Sequence, residues 1–93
     1  MKVTIETLAA IYNVGMAIVM ADGELKPEYV APLEKFYGGI NGFTNEAMMK
    51  VVDCANNNKN LTMERSVELV KSLDVDVKKR LVNIYADIVR ADE

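Results

Sequence analysis

Acidic side chains crowd one short stretch, Asp22-Gly23-Glu24-Leu25-Lys26-Pro27-Glu28, which follows directly on the most apolar segment of the chain. Asp22, Glu24 and Glu28 are the residues whose type and spacing suit chemistry. Three carboxylates so close together can hold a hard divalent cation, and a pair such as Asp22 and Glu28 can trade a proton. The rest of the inventory is thin. The chain has no histidine, so the commonest general base and the commonest zinc ligand are both missing. Ser66 and Ser72 therefore lack an imidazole partner. The single cysteine, Cys54, lies in a helical pattern where it reads as a small buried hydrophobe rather than a reactive thiol. The expectation is a protein that is not an enzyme, with no catalytic residue and no cofactor beyond a divalent metal at the acidic turn.

Calcium is the first cation to consider, because Asp22-Gly23-Glu24-Leu25 fits positions five to eight of an EF-hand loop. Extending that register puts Ile18 and Met20 at positions one and three and Tyr29 at the bidentate position twelve. A calcium ion needs six to eight oxygens, and these three side chains supply no carboxylate. An EF-hand is excluded. A plainer account of the acids is also open: Asp22 capping local backbone groups, Glu28 complementing a helix dipole, and Glu24 simply facing water.

Something must position that turn. Leu8 to Ala21 is apolar except for Asn13. A helix with almost no polar face belongs in the centre of a bundle, and at this length it falls short of the roughly 20 residues that cross a bilayer. Thr4 is a plausible N-cap, with Glu6 in the first turn. Gly15 in mid-helix costs about 1 kcal/mol against Ala, which implies the close approach of another backbone. Asp22-Gly23 ends the helix, with Gly23 suited to the left-handed C′ position.

The remaining pattern is helical throughout. Pro27 suits the first turn of a second helix whose inward stripe is Val30, Leu33 and Phe36 or Tyr37, ending at Gly38-Gly39. Pro32 is expected to kink that helix or split off its first turn. Thr44 caps a third helix with Met48, Val51, Val52 and Ala55 at helical spacing, and Asn56 to Asn60 reads as a loop. A fourth helix covers about Thr62 to Leu73, with Met63, Val67, Val70 and Leu73 on one side. Asp74 or Asp76 caps a fifth, striped by Val77, Leu81, Ile84, Tyr85 and Ile88. Lys78, Lys79, Asn83 and Asp87 take its wet side, and Lys78-Lys79-Arg80 reads as a solvated run. No stretch alternates as a strand, so the fold class is all-α, a bundle of about five helices around an apolar first helix.

Composition bounds the rest. The 93 residues read as one domain, residues 1–93, with half of them apolar and a quarter charged. A net charge of −3 and the absence of Trp leave no electrostatic or stacking footprint for nucleic acid. One cysteine cannot form an intrachain disulfide, and Glu6 stands where the apolar core of a signal peptide would begin, so a cytoplasmic location without membrane insertion is expected. Six methionines are expected mainly as core filler, though Met also suits adaptable surfaces.

The two ends share a pattern. Ala17-Ile-Val-Met-Ala-Asp-Gly-Glu24 and Asp87-Ile-Val-Arg-Ala-Asp-Glu93 both contain Ile-Val-x-Ala-Asp at the end of an apolar-striped helix. The second copy stops where its turn would begin. If the repeat is structural, the first and fifth helices lie side by side and antiparallel, with Asp22 and Asp92 at opposite ends. If a following helix is missing, the flanks of the first and fifth helices, including Val82 and Val89, are left uncovered and favour a homodimer.

In Ala21, Asp22, Gly23, Glu24 and Leu25, followed by Pro27-Glu28 and Leu33, the chain resembles the tellurite-resistance TerB-like family. Ala91-Asp92 would be a truncated second motif. It is also similar to the N-terminal domain of membrane-anchored DnaJ-like co-chaperones. There are departures: Tyr29 stands where the family carries an acid, Glu28 comes one position early, and Glu93 replaces the second glycine. The resemblance implies a helical bundle without a known reaction, associated with tellurite or metal stress and with protein partners. Two functions follow as expectations: a non-enzymatic interaction or scaffold module, or a divalent-cation sensor using Asp22, Glu24 and Glu28.

Overall fold

Threonine opens three of the helices. In the computed structural model, Thr4, Thr44 and Thr62 are extended, and each hydroxyl accepts the backbone N–H three residues on, from Thr7, Ala47 and Arg65 at 3.1, 3.0 and 3.1 Å. Each thereby satisfies one of the donors that a helix start leaves orphaned. The structure describes residues 3–22 and 27–91, with backbone alone at Asp22, Tyr29 and Ala91.

Among the described residues there are five α-helices and no strand: α1 Ile5–Val19, α2 Pro27–Gly38, α3 Asn45–Asn57, α4 Met63–Lys71 and α5 Val75–Ala91. The all-α expectation holds. A single 3-10 turn, Met20–Asp22, follows α1, so the α-helix itself stops two residues earlier than the apolar run suggests. The radius of gyration, 12.4 Å, equals the roughly 12 Å of a folded chain this long.

α1 is the central helix. Leu8, Ala9, Ala10 and Ile11 are all at most 4 % exposed. Four successive residues sweep about 300° of a helix, so protein surrounds the axis here on every side. α3 and α4 pack on one side of α1, while α2 and α5 pack together on the other and both touch it. α2 and α3, although consecutive, are not packed along one another.

Three local expectations need correction and one is narrowed. Of the two outcomes expected at Pro32, the split-off first turn does not occur, since α2 runs from Pro27 to Gly38 with Pro32 inside it. What the ring removes is one N–H, which would have bonded the Glu28 carbonyl. The loop assigned to Asn56 begins later, because Asn56 and Asn57 finish α3. There Asn57 Nδ2 donates to Asp53 Oδ1 at 2.7 Å, one turn back, and ties down a residue that ordinarily favours loops. On α4 the most buried position is Ser66, fully enclosed, while Met63 is 46 % exposed. Gly15, finally, meets side chains rather than backbone. A Cβ there would lie 2.9 and 3.1 Å from the two δ-methyls of Leu33 and 3.5 Å from the Tyr85 ring.

Candidate functional site

The acidic turn is placed only in part. Ala21 is exposed in the 3-10 turn, Asp22 closes that turn, and Glu28 is exposed in the first turn of α2. Gly23, Glu24 and Leu25 lie outside the described residues, as does Asp92 of the second half-motif. Among the described residues no three Asp, Glu or Cys side chains gather into a metal-binding group. The two half-motifs also sit differently. Val19 is 2 % exposed in the first, whereas in the second Ile88 is buried and Val89 is 53 % exposed. The shared letters therefore face the core through different residues.

A concavity lies elsewhere, in the wedge where α2 and α3 diverge. Its volume is about 460 Å³. Tyr12 of α1, Val30 and Leu33 of α2, Phe43 of the connecting loop, and Met48 and Val52 of α3 line it, with Glu34, Thr44 and Asn45 completing the wall. Gly42, at φ 78°, takes the left-handed turn that precedes Phe43. Phe43 then stacks on Tyr37 at 5.6 Å with 28° between the rings, and Tyr37 meets Phe36 edge-on at 5.4 Å. A second hollow adjoins the groove across α3. It shares Asn45, Met48 and Val52 and adds Met49 and Asp53. Met49 is 72 % exposed, and Met20 and Met63 are each 46 % exposed, so these methionines are not core filler.

Two tyrosines bond to the backbone of α1, and one of them, Tyr37, also lines the groove. Tyr37 Oη donates to the Leu8 carbonyl at 2.6 Å, and Tyr85 Oη donates to the Ile11 carbonyl at 3.0 Å. Burial pushes the Tyr37 phenol far above the ordinary tyrosine range, and neighbouring Tyr85 and Tyr12 push it further; burial alone does the same for Tyr85. Both hydroxyls stay protonated and act as donors, not as bases. On the opposite face of α1, Asn13 Nδ2 donates to the enclosed Ser66 Oγ at 3.2 Å. The one polar residue of the apolar run thus ties α1 to α4.

Cys54 is partly buried and receives a long 3.8 Å contact from Asn58 Nδ2. In the Lys78-Lys79-Arg80 run, Arg80 lies 5.7 Å over the Phe36 ring and Lys78 Nζ donates to the Lys71 carbonyl at 3.2 Å. Each is a structural contact. The largely apolar lining of the groove can hold an apolar body.

No family model, no curated protein and no solved structure matches this chain. No helix among the described residues is long and apolar enough to cross a membrane.

The groove was not anticipated from the sequence. Adjacent apolar pairs, Met48-Met49, Val51-Val52 and Phe36-Tyr37, are the local trace that points to it. One member of such a pair can face the core while the other looks elsewhere. Val51 is fully buried and Val52 lines the groove.

Proposed function

We propose that this chain is a non-enzymatic, TerB-like interaction module that seats an amphipathic helix of a protein partner in the wedge between α2 and α3. The open apolar groove carries the proposal. A bundle that leaves two consecutive helices splayed has room for one more, and an apolar helix stripe in such a groove is a common mode of recognition. Met48 and Met49 beside it can repack around differing side chains. Glu34 on the wall and Asp53 in the adjoining hollow favour a partner helix with basic residues beside its apolar stripe. The likeness through Ala21-Asp22-Gly23-Glu24-Leu25 adds a cytoplasmic setting and a link to tellurite or metal stress. A second copy of the chain is a further partner.

The test is a nuclear magnetic resonance titration of labelled protein with a designed helix, leucine on one face and lysine on the other. Amide shifts should centre on Tyr12, Val30, Phe43 and Met48. A glutamate version of the peptide should bind more weakly, and Glu34→Lys should reverse the preference. Groove residues that stay unperturbed by either peptide at about 1 mM, where even weak binding at −4 kcal/mol registers, would overturn the proposal.

A further inference from the structure

The outer face of α5 carries a second apolar surface, remote in character from the groove. Val75, Val82 and Val89 are spaced by seven residues and are 60, 66 and 53 % exposed. Residues seven apart stay nearly in line along a helix, drifting only about 20° per step. This stripe is distinct from the core face of the same helix, where Val77, Leu81 and Ile88 are buried. A shallow hollow beside it is lined by Val75, Lys78, Lys79, Val82 and Asn83.

What covers the stripe is set by the charges along its solvent-side flank. Asp76, Lys79, Asn83, Asp87 and Arg90 are all exposed and follow one another by three or four residues, so they share one edge. Their signs run minus, plus, neutral, minus, plus. Reversed, the order is plus, minus, neutral, plus, minus. The pattern is therefore complementary to its own reverse, with Asn83 at the centre.

We propose that a second copy of this chain covers the stripe, α5 running antiparallel to α5 about a two-fold axis near Val82. Val82 then meets Val82 of the second copy, and Val75 meets its Val89. On the flank Asp76 faces Arg90, Lys79 faces Asp87, and the two Asn83 amides face each other. The same patch serves both copies, which is the closed arrangement that two-fold dimers use. Arg90 already contacts Asp87 of its own helix at 2.6 Å, with both side chains more than half exposed, and in the dimer this pair joins a larger network. A 17-residue helix is about 25 Å long, and one helix pair buries less than the roughly 1,200 Å² of a stable complex. The dimer is therefore a weak one. It uses a different face from the groove, so the failure of either proposal leaves the other standing.

Sedimentation equilibrium of the full chain tests this. The wild type should associate reversibly by about 1 mM, within reach of a millimolar constant. Lys79→Glu or Asp87→Lys alone should weaken the dimer about tenfold, the effect of roughly 1.4 kcal/mol, and the double swap should restore it. In a Cys54→Ala background, Val82→Cys should oxidise to a disulfide-linked dimer. Circular dichroism checks that each variant, altered at exposed positions apart from the partly buried Cys54, remains helical. A wild-type chain that stays monomeric, charge reversals that change nothing, or a double swap no better than the singles would each overturn the proposal.

Discussion

Tyr85 on α5 donates a 3.0 Å hydrogen bond to the main-chain carbonyl of Ile11 on α1, across 74 positions of sequence. Tyr37 does the same for Leu8 from α2. Each carbonyl belongs to the interior of α1, so the tyrosines add a second bond to an acceptor that the helix already uses. They join the outer helices to the central one without breaking its ladder.

Both phenols are held above the ordinary value of 10.0, by burial first and, at Tyr37, by the neighbouring phenols as well. A raised pKa means that the folded chain keeps a proton the unfolded chain gives up. That stability is whole below pH 10 and is lost as the pH climbs above it, by about 1.4 kcal/mol per pH unit for each phenol. Urea unfolding should therefore show a steep alkaline limb. Tyr37→Phe and Tyr85→Phe should each cost about 1 kcal/mol at neutral pH, while the double variant flattens that limb. An unchanged limb in the double variant would remove the phenols from the account.

Asn13 and Ser66 form a couple that a mutant cycle can isolate. Asn13→Leu leaves the enclosed Ser66 hydroxyl without that donor and should cost about 1–3 kcal/mol. Ser66→Ala alone should cost about 1 kcal/mol, since Asn13 is only partly buried. Replacing both removes the polar pair together and should recover most of the loss, with a coupling of about 1 kcal/mol. Strict additivity in chemical denaturation would show that the two side chains act independently.

Gly15→Ala sets two effects against each other. Alanine improves the helix by about 1 kcal/mol. Its methyl would also meet a Leu33 methyl at 2.9 Å, and such crowding costs about 1–3 kcal/mol. Leu33 borders the groove, so it can yield in that direction. The net loss should stay under about 1 kcal/mol, while the displaced leucine narrows the groove and weakens binding of the lysine-faced peptide. Peptide affinity equal to that of wild type would break this link between Gly15 and the groove.

Calcium should bind no tighter than millimolar. Ile18 and Met20, at the would-be ligand positions, offer no oxygen, and Ile18 packs against the core. Calorimetric titration is the measurement. A micromolar site would require the acidic turn to bind by a geometry unlike an EF-hand.

Local signals were the legible part of this fold. Thr4, Thr44, Thr62 and Pro27 mark helix starts because capping and a proline-set φ act within one turn. The wide apolar arc of α1 announced a central helix because burial on all sides admits no polar face. Illegible were relations that depend on distant residues. Nothing near Gly15 says that Leu33, not a backbone, fills the space above it. Nothing near Met63 says that Ser66 will take the buried place on α4, since that depends on Asn13. The half-motifs Ile18-Val19 and Ile88-Val89 look alike as letters, yet neighbouring helices decide which letter is covered. The acidic turn was the plainest chemistry in the sequence, while the groove arises from the divergence of two helices and has no motif of its own.

The central place of α1 also bears on how the chain is made. α1 is synthesised before every helix that covers it. At about 5–20 residues per second, some 4–15 s separate the appearance of Ile11 from that of Tyr85, its hydrogen-bond partner on the last helix. The most apolar helix therefore waits longest for its cover to be complete, and in that interval the surface that α5 will claim stays open to water.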